Sequence, residues 1–296
     1  MSSPTASDRT GSGKWTVTPM VLGFVDPVMT PVLGLEPEIG GRLPVFSYLL
    51  EEVETHTLVV VDLGPPPADM AAHGGHINVG SPWRSAAMAV ADAGFDPAAV
   101  RWVVLSHLHW DHVYGAQEFS NAVVVVQERE IAFASQPPHA QRGVFDAAVT
   151  QDLDQLHDAR RLEVISGDVE IAPGLRAVLA PGHTAGSQYI LAETLDGTTI
   201  ALVGDMAYRY ENLLGTVESS WTPIPPSLCE DAQAWLDSAI QLADVGALPL
   251  LAHDERGPEL LGTPTRLVRQ GDQLILHPAP AQPWDPTDRL IWTRGT

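Results

Sequence analysis

The stretch VVLSHLHWDHVYG, residues 103–115, sets three histidines and an aspartate within six positions directly behind an apolar run. Titratable side chains are costly to bury without partners, so a cluster of them at the end of a core strand calls for something to bind. His107, His109, Asp111 and His112 all carry lone pairs that a divalent cation accepts. In an extended segment, residues two apart point the same way, so His107 and His109 can grip one ion. Asp111 and His112 are adjacent and their side chains diverge, so they can serve a second ion beside the first.

The same pattern recurs along the chain. RWVVLS stops at His107, LRAVLAPG at His183, TTIALVG at Asp205 and ALPLLA at His253. Strand ends are where α/β folds collect ligands, because the core fixes the position and the loop leaves room. A third histidine for each ion is therefore expected from these distant positions, and an aspartate between two ions can bridge them with one oxygen each. The only cysteine is Cys229, which rules out an intrachain disulfide and a thiolate cage. Imidazole and carboxylate donors suit zinc, so two divalent ions, with zinc as the expected metal, are the cofactors.

Other candidates read differently. His56, His139, His157 and His277 stand alone and are read as solvated or hydrogen-bonded residues. His73-Gly-Gly-His76 lies in a Gly/Pro-rich stretch, residues 65–80, read as a loop near the site mouth. Asp62 closes the run TLVVVD; it either orients a ligand histidine or caps the following turn.

The frame around the cluster is α/β. WTVTPMVLGFV (15–25), VFSYLL (45–50), TLVVVDLG (57–64), RWVVLS (101–106) and AVVVVQ (122–127) read as strands, followed after 161 by RLEVIS, VEIA, LRAVLA, QYILAE and TTIALVG. Helices are predicted after Ser81-Pro82, around 128–135 and 141–150, and over 230–246, where a Gly ends the apolar periodicity. Two halves that each run strands then helix predict two mixed sheets covered by helices. The chain divides into a disordered tail, 1–14, and a single domain, 15–296, whose last part, 257–296, is a Pro-rich extension with one hairpin. No run has the length of a membrane span, and the polar amino-terminus lacks an apolar signal core, so a cytoplasmic protein is expected. With 16 Lys and Arg against 37 Asp and Glu, the formal charge is −21, which repels phosphate backbones and anionic lipid. Neither nucleic acid nor membrane is expected as a partner; a homodimer is compatible with the sequence.

HLHWDH resembles the H-x-H-x-D-H signature of the metallo-β-lactamase superfamily, and PGHTAGS, VGDMAY and LAHD are similar to its later ligand motifs, in order. The resemblance implies an αββα sandwich with two metals at one edge of the sheets. It would place His107, His109 and His183 on the first metal, Asp111, His112 and His253 on the second, and Asp205 as the bridge. LPVFSYLLEE, SHLHWDH, GDVEIAPG, PGHTAGSQ and DMAYRYEN further resemble segments of the N-acyl-homoserine lactonases, over roughly residues 43 to 256. Within that family a tyrosine follows the bridging aspartate by three residues, the position of Tyr208.

That resemblance implies a mechanism. Two ions lower the pKa of a bridging water, and the resulting hydroxide attacks a lactone carbonyl whose oxygen is hydrogen-bonded by the Tyr208 hydroxyl. Asp111 would carry a proton to the leaving alkoxide. Asp111 and Tyr208 are thus the implied catalytic pair and a small lactone or ester the implied substrate, with Trp83, Trp110 and Phe119 as candidate lining for an acyl chain. Hydrolysis of another lactone, such as a pyridoxolactone, or of a glutathione thioester in the manner of glyoxalase II would use the same ligands. The stretch between Asp62 and the first helix departs from the resemblance, being short and carrying the His/Gly/Pro loop, and the segment after about 257 has no counterpart in it.

Overall fold

The computed structural model describes residues 11–25, 43–69, 79–80, 83–145, 147–216 and 219–277. A first sheet takes β1 (Trp15–Val25), β2 (Leu43–Glu52), β3 (Leu58–Val61), β4 (Val79–Gly80), β5 (Val100–Val104), β6 (Val123–Gln127) and β7 (Leu162–Ile165) in the order β4-β1-β2-β3-β5-β6-β7. The hairpin strands pair antiparallel, while β3, β5, β6 and β7 run parallel. A second sheet, ordered β12-β11-β10-β9-β8, holds β8 (Val169–Ala172), β9 (Leu175–Leu179), β10 (Gln188–Glu193), β11 (Thr199–Leu202) and β12 (Leu248–Leu250).

Alternation along each strand decides the layers. Phe46, Tyr48 and Leu50 of β2, Val59 and Val61 of β3, and Trp102 and Val104 of β5 share one buried cluster with Ala177, Ile190 and Leu202 of the second sheet. The intervening residues Leu49, Val60, Val103, Val124 and Val126 face the opposite way. They meet α1 (Ala86–Asp92) and, after α2 (Glu128–Ser135), Leu153 and Leu156 of α3 (Ala147–Asp158). Both faces of the central strands β2, β3, β5 and β6 are therefore largely buried, which is why these strands read as near-continuous apolar runs. Each fully buried aliphatic side chain contributes about 1.5–3 kcal/mol of transfer free energy. After α4 (Tyr210–Leu214), α5 (Ala232–Val245) covers the second sheet, with Trp235 Nε1 donating to Met206 O at 2.6 Å and Ser238 Oγ to Pro181 O at 2.9 Å. The result is the expected αββα sandwich of two mixed sheets.

Two helix expectations are revised. The helix predicted after Ser81-Pro82 begins at Ala86, with Ser85 as its N-cap, accepting from Met88 N at 3.3 Å. Arg84 N is already committed to Leu22 O (2.9 Å), which holds the preceding backbone out of the helix; Ser81 and Pro82 themselves lie outside the described residues. The helix predicted around 141–150 divides into a 3₁₀ turn, His139–Val144, and α3, because Val144 O accepts from Trp110 N and Phe145 is extended. At the start of the described residues, Ser12 Oγ and Gly13 N donate to Glu52 Oε1 at 2.8 and 3.1 Å. The expected extension is part of the core over its described length. It begins with α6 (Arg256–Glu259), and in the hairpin of β13 (Arg266–Gln270) and β14 (Gln273–His277), Leu267, Leu274 and Leu276 join the main cluster. Residues 278–296 and the His73/His76 loop lie outside the described residues. Among the described residues, no helix is long and apolar enough to cross a membrane.

One edge of the sandwich is cross-stitched. Phe46 N and Tyr48 Oη of β2 donate to Ala252 O and Leu251 O just past β12, each at 2.8 Å. Gln188 of β10 donates from its backbone N to Ser106 O (2.9 Å) and from Nε2 to Leu105 O (2.8 Å), just past β5. The loops fixed by these bonds carry the candidate site.

Candidate metal centre

Each long-range candidate follows a strand by three or four residues: His107 after Val104, His183 after Leu179, Asp205 after Leu202 and His253 after Leu250. The stitched edge brings them to the His107–His112 turn in two groups: His107, His109, His183 and Asp205, and beside them Asp111, His112 and His253. Within each group the ligand-type atoms lie within 4.8 Å of one another. Asp205 faces both. Its Oδ2 is 3.6 Å from His107 Nε2 and 3.5 Å from His183 Nε2, while its Oδ1 is 3.0 Å from His112 Nε2 and 3.1 Å from His253 Nε2. Asp111 Oδ2 stands 3.7 Å from His253 Nε2.

The outward ring nitrogens explain why the inward ones have lone pairs to offer. Ser106 Oγ gives its hydrogen to Asp62 Oδ2 (2.7 Å) and so accepts from His107 Nδ1 (3.0 Å). His112 Nδ1 donates to Asp62 Oδ2 (2.8 Å), His183 Nδ1 to Leu228 O (2.7 Å) and His253 Nδ1 to Pro44 O (2.9 Å). His109 is turned the other way, with Nε2 on Gln141 Oε1 at 3.2 Å. A neutral imidazole donates from one nitrogen and ligates through the other, so His107, His112, His183 and His253 present Nε2, and His109 presents Nδ1.

Charge and burial fit a cation. Burial pushes His107, His109 and His183 well below or below the ordinary imidazole range, leaving them neutral. Burial opposes ionisation of Asp205, but the imidazoles of His112 and His253 overcome it and hold the carboxyl well below the usual range. Burial likewise opposes protonation of those two imidazoles, and Asp205 reverses it, raising both. His107 Nε2, His112 Nε2 and Asp205 Oδ1 are buried with no aligned hydrogen bond, although the last two are close. Atoms that approach without aligning are aimed at a common third body, and the donor set is of the type that holds zinc-like ions. In the metal-free chain, protons on His112 and His253 stand in for that positive charge. Metal uptake should therefore release protons, and affinity should fall as pH falls. Calorimetric titration in buffers of different ionisation enthalpy measures this; uptake without proton release would contradict it.

Of the two readings of Asp62, the ligand-orienting one holds. It occupies a left-handed backbone position (φ 60°), accepts from Ser106 N at 2.7 Å and grips both Ser106 Oγ and His112. Gly204, just before Asp205, is packed against this pair: a Cβ there would lie 2.4 Å from Ser106 Oγ, and its φ is +52°. Sequence reasoning missed further residues around the candidate ligands. Glu130 is buried and accepts from Leu108 N, Thr184 Oγ1 and Gly186 N at 3.0, 2.6 and 3.1 Å, joining the two loops that carry the first three histidines. Burial raises its carboxyl to about 7. Asp254, Arg256 and Glu211 lock the His253 loop to α4: Arg256 bonds both Glu211 oxygens (2.8 and 2.6 Å) and both Asp254 oxygens (2.8 and 2.5 Å), while Tyr210 N donates to Asp254.

A cleft opens over both groups, walled by Val25, Leu43, Trp110, Val144, Tyr208 and Leu228. The Tyr208 ring lies 5.7 Å from that of His183 and 5.6 Å from that of His253. Burial, reinforced by Asp205 and Asp111, raises its hydroxyl well above the usual phenol range, so it is a donor. Of the three candidate lining aromatics only Trp110 reaches this cleft. Phe119 is fully buried in the cluster beneath α1, because its turn folds back under the first sheet. Trp83 is drawn away by Pro65 O, to which it donates at 3.0 Å, and packs edge-on to Tyr114.

A fold of this kind with candidate metal ligands at one sheet edge points to a class, and residues 40–253 match the family model of the metallo-beta-lactamase superfamily. The chain belongs to that superfamily and is a metal-dependent hydrolase. Among its relatives, an N-acyl homoserine lactonase of Bacillus cereus is 28% identical over 182 residues, 58% of this chain and 67% of that one. Two solved structures share the fold. An N-acyl homoserine lactone hydrolase with N-hexanoyl-L-homoserine bound at its catalytic metal centre has a TM-score of 0.63 at 22% identity, over 90% of this chain and 100% of the other. AidC, a dizinc quorum-quenching lactonase, has a TM-score of 0.63 at 17% identity, over 93% and 97%.

Proposed function

We propose that this protein opens the ring of an N-acyl homoserine lactone on a pair of divalent ions, with zinc the expected metal. The observation that carries the reading is the division of the Asp205 oxygens between two ligand groups at the floor of an apolar cleft. His107, His109 and His183 would hold one ion, Asp111, His112 and His253 the other, and Asp205 both. When bound, such a pair polarises a carbonyl oxygen and brings the pKa of water near neutrality.

The chain supplies the rest. Val25, Leu43 and Trp110 give the acyl chain an apolar wall and keep the reacting carbonyl away from bulk water. Tyr208, protonated and set between the two groups, donates to the carbonyl oxygen as it gains negative charge. Asp111, the most exposed of the ligand-type residues with 13% of its side chain accessible, is placed to take a proton from the attacking water and pass it to the ring oxygen as the C–O bond breaks. The lactonase relatives support this substrate class, and degradation of acyl-homoserine lactone signals is the role that fits it.

Tyr208→Phe should lower kcat on lactones about 10²-fold while metal content is unchanged. Steady-state kinetics with elemental analysis of the same preparation checks both; unaltered turnover would remove the phenol from the mechanism.

A further inference from the structure

Gln141 has no part in the chemistry just described, yet it is 2% exposed and sits between two of the ligand residues. Its Nε2 donates to His183 O at 3.0 Å, and a carbonyl can only accept, so the amide orientation is fixed. Its Oε1 therefore faces His109 Nε2 at 3.2 Å and must accept from it. The 3₁₀ segment His139–Val144 that carries Gln141 is itself pinned, with Val144 O accepting from Trp110 N at 3.0 Å and the next residue, Phe145, packed edge-on to the His109 ring at 4.7 Å.

The consequence lies on the inner side of the rings. His109 Nδ1 and His183 Nε2 are 3.1 Å apart, close enough to share a proton. A proton there would make each ring the hydrogen-bond partner of the other and mask two ligand atoms at once. Leu228 O holds the His183 proton outward, on Nδ1. Only a matching acceptor behind His109 keeps its proton outward too, leaving two lone pairs face to face with a cation as their natural partner.

We propose that Gln141 is a positioning residue for the three-histidine group, fixing His109 as the Nε2–H tautomer so that Nδ1 is free to ligate. The assignment rests on the metal reading above. The two groups are backed differently: His112 by the carboxylate of Asp62, His109 by a neutral amide. A carboxylate behind a ligand imidazole makes it more basic, so Gln141→Glu keeps the acceptor while losing the tie to His183 O, and Gln141→Leu loses both.

The test uses the full chain and zinc. Metal-free wild type, Gln141→Leu and Gln141→Glu are titrated against a chromophoric chelator, and the imidazole tautomers are read by long-range proton–nitrogen NMR on ¹⁵N-histidine-labelled protein. Wild type is expected to take up two ions and to show one ligand histidine as the Nε2–H form. Gln141→Leu should lose that signal and bind one of the two ions about 10–100-fold more weakly. Gln141→Glu should restore both tautomer and affinity, which a purely structural role for the amide would not produce. Unchanged affinities and an unchanged tautomer in Gln141→Leu would overturn the assignment. Failure of the wild type to bind zinc would instead overturn the proposed function, and the NMR tautomer would still decide the role of Gln141.

Discussion

Replacing Asp205 by Asn should abolish lactone hydrolysis, with a loss of about 10³-fold or more, and should lower metal content from about two ions per chain to one or fewer. The carboxylate is the one anion that both groups face, one oxygen each, and it is 3% exposed. An amide of the same shape has one acceptor oxygen and no charge, so one group loses its shared ligand and neither has its charge balanced. On the proposed function, several kcal/mol of transition-state stabilisation would depend on that pair of ions, and each 1.36 kcal/mol is tenfold in rate. The substitution should leave the fold intact, because Asp205 serves no helix cap or sheet ladder. Elemental analysis beside kinetics measures it; two retained ions with near-normal turnover would show that the carboxylate is not shared.

Arg256→Ala should be the most destabilising single change away from the ligands. Asp254 is fully buried, and Arg256 bonds both of its oxygens as well as both of Glu211's. Burial by itself would raise the Asp254 carboxyl, but the hydrogen bonds and charge of Arg256 hold it below the usual range. Removing one partner of such a buried pair costs about 3–5 kcal/mol, which for a chain of this size lowers Tm by about 5–8 °C. The sign of the pH dependence follows. A depressed carboxyl stabilises the native state above its unfolded pKa, and that contribution is lost as pH falls through the folded value. The wild type thus loses this contribution in acid, whereas the variant gains relief once Asp254 is protonated. The stability gap should narrow below about pH 4, as measured by denaturant unfolding across pH. Since Asp254 directly follows His253, metal retention should drop as well.

How much of this was legible in the sequence depends on whether the signal was local. β1 spans the predicted run 15–25, α2 the predicted 128–135, and Asp231 and Gly246 bound α5 as an N-cap and a left-handed stop. Apolar alternation and end signals are written in consecutive residues, so these could be read directly. Ser81-Pro82 is as good a local cap signal as Ser85; what favours Ser85 is distant in sequence, Glu118, to which it donates at 2.8 Å, and Leu22 O, which holds Arg84 N. The candidate ligands were legible because His107, His183, Asp205 and His253 each follow an apolar strand and His109, Asp111 and His112 cluster directly behind the first, a pattern that survives without coordinates. Gln141, Glu130 and the Arg256 cluster were not. An isolated glutamine in PHAQRG or one acid in QERE looks like any solvated residue, and only the three-dimensional approach of His109, Leu108 and Thr184 gives it a task. Asp62 fell between, its strand-end position visible but its partner His112 not.

The most direct measurement combines metal analysis of the purified protein with hydrolysis of acyl-homoserine lactones of several chain lengths and of a glutathione thioester, before and after chelation. About two ions per chain, with lactone turnover that vanishes on chelation and returns with added zinc, is the predicted result. Turnover that survives complete metal removal, or a fully loaded protein that opens no lactone, would contradict it.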